Sequence, residues 1–156
     1  MGLIKYDNYL QSCEISPNGD WYVVSGENGT MMLGHLNKGE PKTLETGHLG
    51  SHGNRVFCIK WDPTDENIFY SGGWDKTIFF WDVRTKTSFN KLYGIYMGGQ
   101  AIDVSNGKLL LGNNTNSNQL RIYDVKADKM RLVRWENYTE ESLHSTVGIN
   151  SCFFGY

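Results

Sequence analysis

The sequence predicts an all-β fold built from a repeated four-stranded unit, and three observations carry that prediction. Apolar residues alternate with a period of two instead of 3.6. The chain holds eighteen glycines together with nine tyrosines, seven phenylalanines and five tryptophans, a strand-and-turn composition. The same strand-and-turn pattern then recurs at nearly constant spacing. No segment keeps helical spacing for three turns, so no long helix is expected.

Each unit opens on a short apolar strand closed by a turn. In the first, YLQSCEISPNG at 9–19 sets Leu10, Cys13 and Ile15 ahead of Ser16-Pro17-Asn18-Gly19. In the second, RVFCIKW at 55–61 sets Val56, Ile59 and Trp61 ahead of Asp62-Pro63-Thr64-Asp65, and the runs IFYS at 68–71 and KTIFFWD at 76–82 follow it. These runs are β-branched or aromatic and bounded by Gly, Pro, Asn or Asp, as strands are. In the third, Ile102 and Val104 precede Ser105-Asn106-Gly107, and the pattern returns as Ile149, Cys152 and Phe154. From Cys13 to Ile59 to Ile102 to Cys152 the intervals are 46, 43 and 50 residues, close to the period of a four-stranded propeller blade.

Composition excludes several functions. A chain of 156 residues with 39% apolar content can bury a core. Fifteen basic residues against seventeen acidic ones give a net charge of -2 with no long block of either sign, so neither nucleic acid nor an anionic membrane is an expected partner. No apolar run reaches the roughly 18 residues of a membrane helix, and MGLIKYDNYL has neither the apolar region nor the cleavage site of a signal peptide. Tyr6 stands where an acylation signal needs Ser or Thr. The expected setting is intracellular, in the cytoplasm. Cys13, Cys58 and Cys152 share no metal-ligand spacing, and their odd number does not fit a disulfide framework, so all three read as small buried apolar residues. The acceptor patterns at Asn28, Asn113 and Asn137 read as turns and polar strand ends without a secretory route. Phosphate-loop, dinucleotide, HExxH and CxxC patterns are missing, His35 and His144 lie far apart in sequence, and no cofactor or metal is expected.

The stretch GHLGSHGNRVFCIKWDPTDENIFYSGGWDKTIFFWDVR, residues 47–84, resembles a WD repeat over its whole length. The unit before it fits in Ser16-Pro17-Asn18-Gly19 and Val24-Ser25-Gly26 but has Gly34 where the family has Trp. The unit after it ends in Tyr123-Asp124 in place of Trp-Asp and carries the polar insertion NNTNSN at 113–118. The similarity spans about residues 9–156, as repeats at 9–46, 47–94 and 95–137 and a partial one at 138–156. It implies a partial β-propeller of four-stranded antiparallel blades, an open arc of about three. Such an arc leaves apolar faces uncovered, so the chain is expected to be part of a larger propeller, or one completed by further blades from the same or another chain. As a free monomer it should aggregate or stay partly molten.

The resemblance also implies roles for particular residues. In this family His52, Ser71, Asp75 and Trp81 would form a hydrogen-bonded structural tetrad, in which the indole only donates, the hydroxyl and imidazole do both, and the carboxylate ends the chain as acceptor. His48 competes for the histidine position; His52 is preferred because it precedes Val56 by four residues. A Ser, a His and an Asp together could pass for a catalytic triad. Ser71, however, is expected on a central strand walled by Trp81 and Phe80, without the glycine-framed elbow that exposes a nucleophile. The family docks proteins or peptides on one end, at positions matching Trp74, Asn54 and Arg55, and Trp and Arg are favoured anchors there; alternatively, Trp74 folds down on Lys76 or a neighbouring blade. The expectation is a non-catalytic interaction scaffold. Two alternatives stand beside it: a cullin-type ubiquitin ligase receptor, since Phe69 to Arg84 resembles the box in which Arg84 would contact the adaptor, and a hydrolytic propeller, for which Asp103 is the tempting acid. The 113–118 loop as a site for a small polar ligand is weaker still, because Asn-rich loops are commonly solvated turns.

Overall fold

A computed structural model describes residues 9–43, 51–115 and 118–133, and side chains of these except 39–43. Twelve strands lie among the described residues, with no helix. They form three four-stranded antiparallel sheets. The first blade runs β1 (Leu10–Ile15), β2 (Trp21–Gly26), β3 (Met31–His35), β4 (Lys38–Thr43). The second runs β5 (Val56–Trp61), β6 (Ile68–Gly73), β7 (Thr77–Asp82), β8 (Thr87–Tyr93). The third runs β9 (Ile102–Ser105), β10 (Lys108–Gly112), β11 (Leu120–Asp124), β12 (Lys129–Leu132). Each sheet keeps chain order, and the first strands lie side by side, β1 against β5 and β5 against β9, so the three sheets stack as propeller blades around an inner edge.

The turns follow from their residues. Asp62 Oδ1 accepts from Thr64 N at 2.9 Å and Asp65 Oδ1 from Asn67 N at 2.9 Å, so two side chains cap the reversal between β5 and β6. Between β9 and β10, Asn106 and Gly107 both take positive φ, 49° and 69°, as the two-residue hairpin requires.

Strand alternation gives each blade two faces, and two clusters fill the spaces between them. Val23, Met31 and Leu33 meet Val56, Ile59, Trp61, Phe69, Phe79, Trp81 and Val83 between the first two blades. On the other side of the second blade, Cys58, Tyr70, Ile78 and Phe80 meet Ile102, Val104, Leu109, Leu111 and Tyr123. Because the middle blade is covered on both faces, β6 and β7 are almost wholly buried and carry apolar residues on both sides.

In the first blade the expectation that Cys13 is buried fails. Leu10 is 52% and Ile15 57% exposed, and Cys13 is exposed too, unlike the buried Cys58. Ser12 and Glu14 are the residues of β1 turned toward the second blade, so Cys13 and Ile15 point the other way, where no described residue covers them. Cys152, with Ile149 and Phe154, lies outside the described residues.

Candidate functional site

The glycine pair after Ser71 explains how the loop before β5 reaches the β6–β7 turn. A Cβ on Gly73 would lie 1.9 Å from the Arg55 carbonyl oxygen, which accepts the Trp74 amide at 2.9 Å. Only a residue without a side chain lets these backbones approach so closely. The contact coincides with a break in β5–β6 pairing between Val56 and Cys58. That closeness sets His52 over the end of the sheet.

Four side chains then line up through the blade. Trp81 Nε1–H donates to Ser71 Oγ at 2.8 Å, and the hydroxyl meets His52 Nε2 at 2.7 Å. His52 Nδ1 meets Asp75 Oδ2 at 2.8 Å, where the Gly53 amide also donates at 3.1 Å. Because a carboxylate only accepts, Nδ1–H faces Asp75, and in the neutral ring Nε2 is then left to accept the Ser71 hydroxyl proton while Ser71 Oγ accepts from the indole. Asp75 Oδ1 is used as well, accepting the Thr77 amide at 3.2 Å. Phe79 closes on the imidazole edge to face, ring centres 4.5 Å apart. Ser71 is wholly buried and the His52 ring has no exposed surface. His48 lies outside the described residues, as do Gly47 and Gly50.

A second group sits at the end where the loops emerge. Trp74 is half-buried, its ring centre 5.2 Å from that of Phe57 and 6.4 Å from that of Tyr96, with the Arg55 guanidinium 5.1 Å above it. Arg55 also pairs with Glu27 in the β2–β3 turn. Residues from all three blades or the loops leading into them are therefore tied together at one spot. Trp74 does not stand free: it packs on Phe57 of its own blade and toward Tyr96 in the loop leading into the third, as the alternative of folding onto a neighbouring blade expected. Asn54 is exposed beside it, its side-chain oxygen accepting the Arg55 amide at 2.8 Å. The Asn-rich loop is anchored at its start: Asn113 is buried, its Oδ1 accepting the Tyr96 amide at 2.8 Å and its Nδ2 donating to Thr115 Oγ1 at 2.8 Å. Glu27, Phe57 and Tyr96 were not legible as members of this group, since nothing local in the sequence marks them.

Arg84 lies elsewhere, after β7. Its Nε and Nη2 grip Asp82 at 3.0 and 2.6 Å, and these hydrogen bonds hold the Asp82 carboxyl below its usual range. Asp103, which has no evident partner in the sequence, faces Lys60 Nζ at 3.5 Å, and the same ammonium lies 3.8 Å from Glu14 Oε1. A signal for this group was present: Glu14, Lys60 and Asp103 are 46 and 43 residues apart, the repeat intervals themselves. Among the described residues no group of three or more His, Cys, Asp or Glu side chains is arranged to hold a metal, and no helix is long and apolar enough to cross a membrane.

Comparison with known proteins agrees with this architecture. The family model "WD domain, G-beta repeat" matches residues 41–82. Transducin-like enhancer protein 2 of Mus musculus is 26% identical over 123 residues, which is 79% of this chain and 16% of that protein. Among solved structures, the RRP9 WD40 repeats superpose with a TM-score of 0.65 at 12% identity, over 83% of this chain and 39% of theirs. U3-55K gives the same score and identity, over 83% of this chain and 40% of its own. The chain thus spans a small part of the curated relative and about two-fifths of the solved chains.

Proposed function

We propose that this chain, whose residues 41–82 match the WD-repeat model and which resembles a WD-repeat relative over 79% of its length, is like members of that family in general a non-catalytic scaffold, binding proteins or peptides at the surface around Trp74, Arg55 and Asn54. The observation that carries this reading is the tie between Glu27, Arg55, Phe57, Trp74 and Tyr96. An indole and a guanidinium already held by neighbours lose little freedom when a partner arrives, which lowers the ordering cost of association. Both are the side chains most often found to dominate interface energies.

Catalysis by the tetrad would need Ser71 Oγ to reach a substrate. The hydroxyl is wholly buried and held between the Trp81 indole and the His52 ring, so a substrate has no access to it. We therefore assign the four groups to fastening the blade. The hydrolytic alternative gains little from Asp103, because its neighbour at 3.5 Å is the Lys60 ammonium, an ion-pair partner. Nor does the adaptor-binding reading of Arg84 gain support, since the grip on Asp82 accounts for the arginine by strand-end chemistry.

Quantitative affinity purification with wild-type, Trp74→Ala and Arg84→Ala chains, each melted in parallel, tests the assignment. Trp74→Ala is expected to lose captured partners by more than its lowered melting temperature accounts for, and Arg84→Ala to keep them. Partners retained by Trp74→Ala, or lost only in step with unfolding, would overturn the surface assignment. A cullin adaptor captured by wild type and lost on Arg84→Ala would instead favour the ligase-receptor alternative.

A further inference from the structure

Glu14, Lys60 and Asp103 occupy one register position on the three inner strands, opposite Val23, Tyr70 and Leu110 on their second strands. The side chains meet across the blades: one ammonium stands 3.8 Å from Glu14 Oε1 and 3.5 Å from Asp103 Oδ1. Glu14 Oε2 also accepts the Trp61 amide of β5 at 2.8 Å, a hydrogen bond that crosses from the first blade to the second. Two carboxylates therefore share one cation on a partly dry inner edge, where Glu14 is 27% and Asp103 8% exposed. Among the described residues the charged groups facing Glu14 are Lys60 from β5 and Asp103 from β9. The remaining neighbour, β2, has the sequence WYVVSG without a charge, and its Tyr22 lies on the opposite face, across from Ile15.

We propose that Glu14 is a proton-operated latch on the seam between the first two blades. Protonated, it leaves Lys60 to Asp103 and still accepts the Trp61 amide through its carbonyl oxygen. Ionised, it sets a second negative charge beside Asp103 against the Lys60 ammonium on a part-buried edge that screens it less than water does, and the seam loosens. Burial pushes the Glu14 carboxyl up to about 7, against the lowering pull of Lys60 and the Trp61 amide, and Asp103 adds to the rise. The folded protein thus holds this proton more tightly than the unfolded chain, whose glutamate has its ordinary value of 4.5. Stability should accordingly fall as pH rises from the unfolded value toward about 7, and level off above it. Asp82 acts with the opposite sign and only in acid, because its folded value is lowered.

Carbon-detected NMR titration of the Glu14 carboxyl in the intact chain, with a thermal melt at each pH, tests this. The wild-type midpoint should lie near 7, with the melting temperature declining from about pH 5 to about pH 8. Glu14→Gln should flatten that decline and melt above wild type at the alkaline end. Lys60→Met should raise the midpoint and Asp103→Asn lower it, shifts that a glutamate serving only as a hydrogen-bond acceptor would not show. A wild-type midpoint in the ordinary carboxylate range, which requires no substitution to observe, would overturn the proposal. So would a midpoint indifferent to both substitutions.

Discussion

Ser71 Oγ is the middle of a chain whose three links are 2.7 to 2.8 Å long, and its loss strands a buried indole N–H and a buried imidazole nitrogen together. Ser71→Ala should therefore cost about 1–3 kcal/mol for each group left unpaired, measured by urea unfolding. Trp61 supplies the contrast. Its indole is also buried, yet Nε1 has no hydrogen-bond partner among the described residues. Trp61→Phe removes a donor that gains nothing in the folded state, so its cost should be confined to lost packing and stay within about 1.5 kcal/mol. A larger loss at Trp61 than at Ser71 would mean that packing, not polar satisfaction, dominates this blade.

At the scale of elements, the second blade depends on a backbone approach that a methyl group blocks. Gly73→Ala should destabilise by at least about 1 kcal/mol, because the new Cβ meets a carbonyl oxygen of the adjacent strand, which cannot move without breaking the bulge. Gly53→Ala, with nothing within 4 Å of its Cβ, should be close to neutral and keep the amide that Asp75 accepts. Amide exchange at Trp74, whose N–H donates to Arg55 O, reports directly on the difference. The first blade takes another course. A Cβ on Gly34 would fall 2.1 Å from the Tyr22 ring, so tyrosine from β2 covers the place that a β3 tryptophan takes in the middle blade, and Val24 stands where that blade has Ser71. No tetrad can form there.

For the whole molecule, the middle blade is covered on both sides while Leu10, Cys13 and Ile15 of the first remain exposed. An apolar face of that kind promotes association. Sedimentation velocity should show the wild-type chain associating with rising concentration, and Ile15→Lys shifting it toward monomer. An unchanged sedimentation coefficient over the accessible range would show the face to be inert. The third blade differs in carrying a depression of about 450 Å³ lined by Ile122 and Met130 together with Lys108, Lys129, Arg131 and Asp124. Such a charged lining is a poor match for a bare apolar sheet, so any association through the first blade's face is expected to join like faces.

Much of this was determined by sequence alone, because a four-stranded blade is a local object. Its strands are consecutive, its turns are short, and the four residues that the family resemblance implies as a tetrad, His52, Ser71, Asp75 and Trp81, lie within one unit. Period-two patterning and turn residues likewise fix the three sheets, since neighbours in chain order are neighbours in each sheet. What only the tertiary structure decided lies between blades. The cation shared by Glu14 and Asp103, the packing of Trp74 against Tyr96, its link through Arg55 to Glu27, and the exposure of Cys13 depend on which face of one sheet meets the next. Alternation marks two faces without saying what covers either, because contacts between units many residues apart leave no local pattern in the chain.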